Sequence, residues 1–274
     1  MLVNLNGQLL PQGEARVSLF DRGFQFGDGL FETMRSYGGR AYLLSRHLRR
    51  LRDGADQLGI PLPDDEELAS RIATTIAANN LPDCAVRLTV SRGVSENLFD
   101  IRPDAMPTIA VQLRPLLHFG DQPENIITVA VDPTIGGGGM LKSLNYLRSV
   151  QAVRKVREAG VREGVMLRED GVVLEGSVSN IFMVKHGTVA TPPIELRILP
   201  GITRQRVLEL AQKLSIPAEQ RPFTLAELLR ADEVFYTNSV REIVSVGGID
   251  NVMIGAATIT QQLLVAYRNE AMVR

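Results

Sequence analysis

The sequence predicts an α+β fold, with helices and strands mixed but without the strict β-α-β rhythm of a doubly wound parallel protein. Three observations predict it. Short period-two stretches, such as Val86, Leu88 and Val90 set against Arg87, Thr89 and Ser91, read as half-buried strands. Stretches with apolar residues at helical spacing, such as Leu48, Leu51, Ala55 and Leu58, read as helices. The 274 residues, 45% hydrophobic and 22% charged, suffice for one large or two ordinary domains.

Val3 and Leu5, then Asn6-Gly7, then Leu9 and Leu10 predict a hairpin over residues 1–10, because Asn-Gly supplies the left-handed turn. Residues 17–20 read as another short strand. From Asp21 to Arg35, Gly23, Gly27 and Gly29 interleave with Phe24, Phe26 and Phe31. That pattern suits backbone packed closely against a neighbour or ligand better than a regular helix. Phe31, Thr33 and Arg35 then alternate onto one face of a strand, with Glu32 and Met34 on the other. A helix follows over 45–58, with Ser45 as its cap. It carries Arg46, His47, Arg49 and Arg50. Such a cluster is ordinarily a solvated face, and the sharper alternative turns one arginine inward to hold an anion.

Further expectations are a helix over 65–79 and strands over 85–92 and 108–113. Residues 114–125, with two prolines and a glycine around the apolar Leu116-Leu117, read as a linker between 1–113 and 126–274. Beyond it come a strand at 126–131, a flexible glycine run at 136–139, and an amphipathic segment at 148–159 with apolar Val150, Val153 and Val156. Strands follow at 164–167, 172–174, 181–184 and 233–237, with helices at 204–214 and 225–230.

Composition narrows the function classes. A formal net charge of −1 points away from nucleic acid and anionic membranes. No stretch approaches the roughly 20 apolar residues of a membrane span, and the first residues show no basic region followed by a long apolar run. The single Cys84 suits a reducing compartment, so the expected setting is cytoplasmic. His47, His118 and His186 are too scattered to ligate a metal with it.

The chemistry centres on Lys142, held between Met140-Leu141 and Ser143-Leu144 at the edge of the glycine run. A lysine kept partly out of water has a lowered pKa, and its neutral amine attacks carbonyls. A phosphate-binding P-loop is excluded because Leu141 stands where the last glycine must sit. An ordinary surface lysine remains the bland alternative. Gly201-Ile202-Thr203 opens a helix, where backbone amides and the Thr203 hydroxyl grip a phosphate, although Thr203 also reads as a simple cap. Asn238-Ser239 ends a strand with small donors, and Arg50 offers a bidentate fork. Glu175, in a turn of small polar residues running to Asn180, can pair with a protonated ring nitrogen. A lysine, a phosphate cup and a carboxylate for a pyridinium are the parts that pyridoxal 5′-phosphate requires.

These blocks resemble the fold-type IV pyridoxal-phosphate enzymes: branched-chain aminotransferases, D-amino-acid aminotransferases and aminodeoxychorismate lyases. The resemblance runs through residues 21–29, 47–51, 141–147, 175–182, 201–204 and 237–239 in the family's order. It implies a two-domain fold with a smaller N-terminal α/β domain and a larger β-rich C-terminal domain that binds the cofactor. It also implies that Lys142 is the Schiff-base lysine and Glu175 the partner of the pyridine nitrogen. Arg50, Ile202, Thr203 and Ser239 fall at its phosphate positions and Tyr146 near a tyrosine that some members set against the ring oxygen. Phe26, Phe31, Thr33, Arg35 and Arg87 fall on the substrate's side, and the assembly implied is a homodimer that borrows a loop from its partner.

The Arg-x-His pair of D-specific members is replaced by Val94 to Phe99, and their tyrosine by Phe31, which argues against D-specificity of the usual kind. Arg87 falls where branched-chain enzymes have a carboxylate-binding arginine, with Ala85 in place of a tyrosine. Thr33 and Thr237 to Val240 look lyase-like. The expectation is a class IV aminotransferase acting on a small amino acid and a 2-oxo acid. The alternatives are a 4-amino-4-deoxychorismate lyase and, remotely, a non-catalytic binding protein of the same fold.

Overall fold

The computed structural model describes residues 1–99, 101, 106–117, 120–130 and 139–273. The chain divides into two compact units. The first comprises residues 1–117 together with the short segment Leu141–Asn145. Its elements are β1 (Leu2–Leu5), β2 (Gln8–Pro11), α1 (Arg22–Phe26), β3 (Gly29–Tyr37), β4 (Arg40–Ala41), α2 (Leu44–Leu58), α3 (Asp65–Ala78), β5 (Cys84–Ser91) and β6 (Thr108–Pro115). Among the described residues the strands form one antiparallel sheet in the order β2-β1-β6-β5-β3-β4. Alternation decides which face is buried. Leu30 and Met34 of β3, Val86, Leu88 and Val90 of β5, and Ile109, Val111 and Leu113 of β6 pack against α2 and α3. The helices supply Leu48, Leu51, Leu68, Ile72 and Ile76.

Leu141–Asn145 is distant in sequence but is sewn onto β3. Phe31 N–H donates to the Lys142 carbonyl at 2.9 Å, Leu144 N–H donates to the Gly29 carbonyl at 2.9 Å, and Ser143 pairs with Leu30. Gly29 is needed here: a Cβ would strike the Val90 carbonyl and come within 2.7 Å of Leu144. The close backbone approach expected of this stretch is present, but it includes a helix. Asp21 caps α1 by accepting from Gly23 N–H, and Gly27 (φ 67°) closes it in the left-handed region.

The second unit comprises residues 118–140 and 146–273. Its elements are β7 (Glu124–Val129), α4 (Leu147–Glu158), β8 (Gly164–Leu167), β9 (Val173–Gly176), β10 (Asn180–Lys185), β11 (Thr188–Thr191), α5 (Ile202–Lys213), β12 (Ala218–Gln220), α6 (Leu225–Leu228), β13 (Glu233–Asn238), β14 (Glu242–Ile249), β15 (Val252–Met253) and α7 (Thr258–Val273). The strand order is β12-β11-β10-β13-β14-β7-β8-β9, with β15 beside β14. One face carries a core of Ile126, Val165, Ile181, Met183, Val234, Tyr236 and Val246 over Phe223 and Leu228. On the other face the rings of Phe182 and Phe235 stack at 4.7 Å.

Several expectations are corrected. Residues 17–20 form no strand, since Ser18 instead accepts from Asp21 N–H and Phe20 N–H in a turn. Ser45 is not the cap of α2, which starts one residue earlier from a left-handed Leu43 without a side-chain cap. The linker is shortened at both ends, because Arg114 and Pro115 close β6 while Glu124 and Asn125 open β7. The pattern reading also missed β11, β14 and α7. Gly136 to Gly138, Val131 and His118 lie outside the described residues. Among the described residues no helix is long and apolar enough to cross a membrane, and no group of acids, histidines and cysteines could hold a metal.

Candidate active site

The first unit brings Lys142, Phe31 and Arg87 together. Pairing of Leu141–Asn145 with β3 sets Lys142 beside Phe31, so its Nζ lies 4.6 Å from the ring centroid. The Arg87 guanidinium covers the same ring at 3.8 Å, and its Nε donates to the Thr89 hydroxyl at 3.3 Å. A ring quadrupole attracts cations at such distances without consuming their hydrogen-bond donors. Thr33 is the cross-strand partner of Arg87. Arg35 follows on the same face, its guanidinium 4.7 Å over Tyr37. The arrangement presents an amine and a planar cation on one sheet face, with a hydroxyl in the same row.

Phe26 is placed differently. It sits on α1 with 43% of its surface exposed and the Arg22 guanidinium 5.1 Å over its ring.

The opposite face of β3 explains Arg50. Glu32 is fully buried and points at α2. It accepts from Arg50 Nε and Arg50 Nη2, both at 2.7 Å, and meets His47 Nδ1 at 2.7 Å. Of the basic cluster on this helix, Arg50 and His47 turn inward, both to the Glu32 carboxylate. Burial opposes ionisation of Glu32, but the Arg50 guanidinium and the His47 ring outweigh it and hold the carboxyl at about 2. Burial holds His47 below its usual pKa, against the pull of Glu32, and an ionised carboxylate can only accept. His47 is therefore a neutral imidazole donating from Nδ1. One edge of the Arg50 fork is fixed by Glu32, which orients the guanidinium. Sequence reasoning missed the partnership of Glu32 and His47. The available signal was the i, i+3 spacing of His47 and Arg50, opposite the inward-facing acid on β3.

The second unit brings Glu175 and the start of α5 together. Leu199 N–H donates to Glu175 Oε2 at 3.0 Å, three residues before Ile202. Gly201 is the N-cap of α5 and offers no side chain to its first-turn amides. Thr203 is not the cap, and its buried Oγ1 has no hydrogen-bond partner among the described residues. A Cβ on Gly201 would run into Asn180 Oδ1, so glycine is required for the helix start to approach β10. Ser239 follows β13 in a turn where Asn238 Oδ1 accepts from Val240 and Arg241 N–H. Tyr146 stands just before α4 as its N-cap residue.

Pyridoxal 5′-phosphate, which the resemblance implies, fits these residues. Uncapped amides and a buried hydroxyl lacking a partner are what a phosphate dianion would satisfy, and the fixed Glu175 carboxylate suits a pyridinium.

A family model described as amino-transferase class IV matches residues 29–249. A protein of Methanocaldococcus jannaschii, provisionally named branched-chain-amino-acid aminotransferase, is 40% identical, covering 98% of this chain and 96% of its own. The D-alanine aminotransferase of Bacillus licheniformis is 33% identical over 98% of this chain and 96% of its own. The aminodeoxychorismate lyase of Bacillus subtilis (strain 168) is 32% identical over 98% of this chain and 94% of its own. Among solved structures, the branched-chain aminotransferase of Thermoproteus uzoniensis with norvaline superposes with a TM-score of 0.91 at 30% identity, covering 100% of this chain and 95% of that one. The branched-chain amino acid aminotransferase of Escherichia coli gives 0.89 at 25% identity, covering 98% of this chain and 93% of that one.

Proposed function

From the premise that the chain belongs to the class IV amino-transferase family, whose members depend on pyridoxal 5′-phosphate, we propose an aminotransferase that moves an amino group between a small amino acid and a 2-oxo acid. One observation carries the choice within the family: Arg87 and Lys142 flank the same Phe31 ring. Amino and oxo acids share an α-carboxylate, so a guanidinium beside the reactive amine supports a reaction that must accept both. The bound cofactor supplies an electron sink that acidifies the substrate's Cα–H. Lys142 would take the proton from that carbon and deliver it to the other end of the C–N linkage, on the cofactor's side, the shift that transamination requires. Arg87 holds the α-carboxylate, and Phe31 excludes water from one side of the amine. Glu175 keeps a proton on the ring nitrogen, with Tyr146 toward the ring oxygen. Arg50, Ile202, Thr203 and Ser239 hold the phosphate. Thr33, Arg35 and Phe26 are the further substrate contacts.

A second reading, aminodeoxychorismate lyase, is favoured by Thr33 standing directly across from Arg87. The two are separated by mixing purified protein with amino-acid and oxo-acid panels and with aminodeoxychorismate. Acceptor-dependent turnover supports the aminotransferase, whereas pyruvate released faster without any oxo acid reverses the choice. Borohydride should fix the cofactor on Lys142, and a label on another lysine ends the assignment. A homodimer belongs to the same reading. It is supported by the exposed Leu19, Phe20, Phe24, Val94, Leu98 and Phe99 in the first unit, where Ser95 N–H donates to the Phe20 carbonyl and Asp21 pairs with Val94. A cytoplasmic setting, suited to a single buried thiol at Cys84, completes it.

A further inference from the structure

The proposed reaction leaves Thr237, on β13 of the second unit, unused. It is 1% exposed, and its hydroxyl, like that of Thr203, has no hydrogen-bond partner among the described residues. Leaving a buried hydroxyl unsatisfied is unfavourable, so each such group asks for a ligand.

Strand alternation shows where the Thr237 hydroxyl lies. Val234 and Tyr236 of β13, Ile181 and Met183 of β10, and Val246 of β14 belong to the core on one face of the sheet. Thr237 therefore faces the other way, together with its cross-strand partners Asn180 and Ile243. That is the face of the stacked Phe182 and Phe235 rings, and α5 packs on β13. The Asn180 carboxamide lies under Gly201, the N-cap of α5, and its Nδ2 donates to the Leu199 carbonyl at 3.0 Å. Paired residues on adjacent antiparallel strands have Cβ atoms about 5 Å apart. The Thr237 hydroxyl thus sits one strand over from the side chain that touches the start of the helix, beneath its uncapped first turn.

We propose that Thr237 is an additional phosphate-binding residue, its hydroxyl completing with Thr203 a cup for a phosphate monoester dianion at the N-terminus of α5. The inference rests on the reading that the cofactor phosphate is held there. Sequence reasoning places Thr237 in the block 237–240 without a phosphate role, because a threonine inside a strand is unremarkable by composition. Only the strand register brings it under the helix. Both hydroxyls donate to the same dianion, which also receives the α5 amides. A neutral isostere at 237 therefore weakens the grip on the phosphate and leaves the rest of the cofactor's contacts alone.

The test compares two ligands on protein stripped of cofactor: pyridoxal 5′-phosphate and pyridoxal, which lacks the phosphate. Affinities are measured by equilibrium dialysis for the parent, Thr237→Val, Thr237→Ser and Thr203→Val. The expected result is that Thr237→Val loses about tenfold in affinity for the phosphorylated ligand with pyridoxal affinity unchanged, and that Thr237→Ser, which keeps the hydroxyl, recovers most of it. Equal loss for both ligands marks a packing role and overturns the proposal, as does no loss at all or a failure of Thr237→Ser to recover. Thr203→Val separates the levels. If it shows the phosphate-selective loss and Thr237→Val does not, this inference alone falls. If neither does, the placement of phosphate at α5 falls with it.

Discussion

Replacing Glu32 by glutamine tests whether a buried carboxylate organises the cationic side of the first unit. Glu32 is inaccessible to solvent and holds both Arg50 and His47. Its carboxyl lies at about 2 instead of 4.5, a difference equivalent to about 3 kcal/mol in favour of the ionised form. Glutamine keeps the shape but turns an amide donor toward partners that are themselves donors, and breaking a buried pair costs about 3–5 kcal/mol. Taking the lower figure, the thermal midpoint should fall by roughly 10 °C. The pH dependence gives a second readout. A depressed carboxyl contributes fully above 4.5, and that contribution disappears as the pH falls towards about 2. His47, kept neutral foremost by burial, adds a loss that begins below 6.5, where the unfolded chain takes up the proton. Melting followed by circular dichroism from pH 7 to pH 3 should show a steep acid limb in the parent and a shallower one in Glu32→Gln. A variant that melts with the parent's midpoint and the parent's acid limb would refute the assignment of Glu32 as the anchor of Arg50.

Other expectations follow from the same geometry. Arg87→Ala should cost about 2–5 kcal/mol in transamination kcat/KM, the order for losing a desolvated charge contact, and Thr33→Ala only about 1 kcal/mol; steady-state kinetics with both variants shows the order, and the reverse ranking favours the lyase. Arg50→Ala should weaken cofactor binding ten- to a hundredfold, a charge-assisted contact being worth about 1.5–3 kcal/mol, and dialysis finding parental affinity would leave Arg50 with no cofactor contact. Sedimentation should give a dimer, and a fully active monomer removes the expectation of a borrowed loop.

Much of this was legible in the sequence, and what was not has physical causes. Alternation placed Phe31, Thr33 and Arg35 on one face and Glu32 on the other, because side-chain direction in a strand depends only on parity. The close approach around Gly29 was readable because only a residue without Cβ tolerates it. What could not be read was the partner. Nothing in residues 141–145 says that they pair with β3 and leave the second unit's chain to do so, since a short pairing has no periodicity of its own. The caps were misread where a backbone conformation replaced a side chain, as at Leu43, and where glycine took the place expected of Thr203. Residues 17–20 have the apolar pattern of a strand but no edge to join.

The pairing of Leu141–Asn145 with β3 bears on function more than any single residue. A lysine on a free loop would lose several rotatable bonds of entropy each time it met a reacting carbon. Here the Lys142 carbonyl is bonded to Phe31 N–H, so the main chain of the proposed proton carrier is fixed to the residue whose ring its amine covers. Phe31 in turn carries Arg87, which Thr89 steadies from two residues along the same strand. The amine and the guanidinium are thus held against one rigid ring before any substrate arrives, and the entropy of orienting them is lost in folding instead of in catalysis. Shortening the ring should uncouple them. Phe31→Leu keeps an apolar wall but removes the quadrupole, so kcat should fall for every substrate while the phosphate-selective affinity for cofactor is kept. If Phe31→Leu instead altered only which side chains are accepted, the ring would be a specificity wall and the shared orientation of Lys142 and Arg87 would have no kinetic consequence.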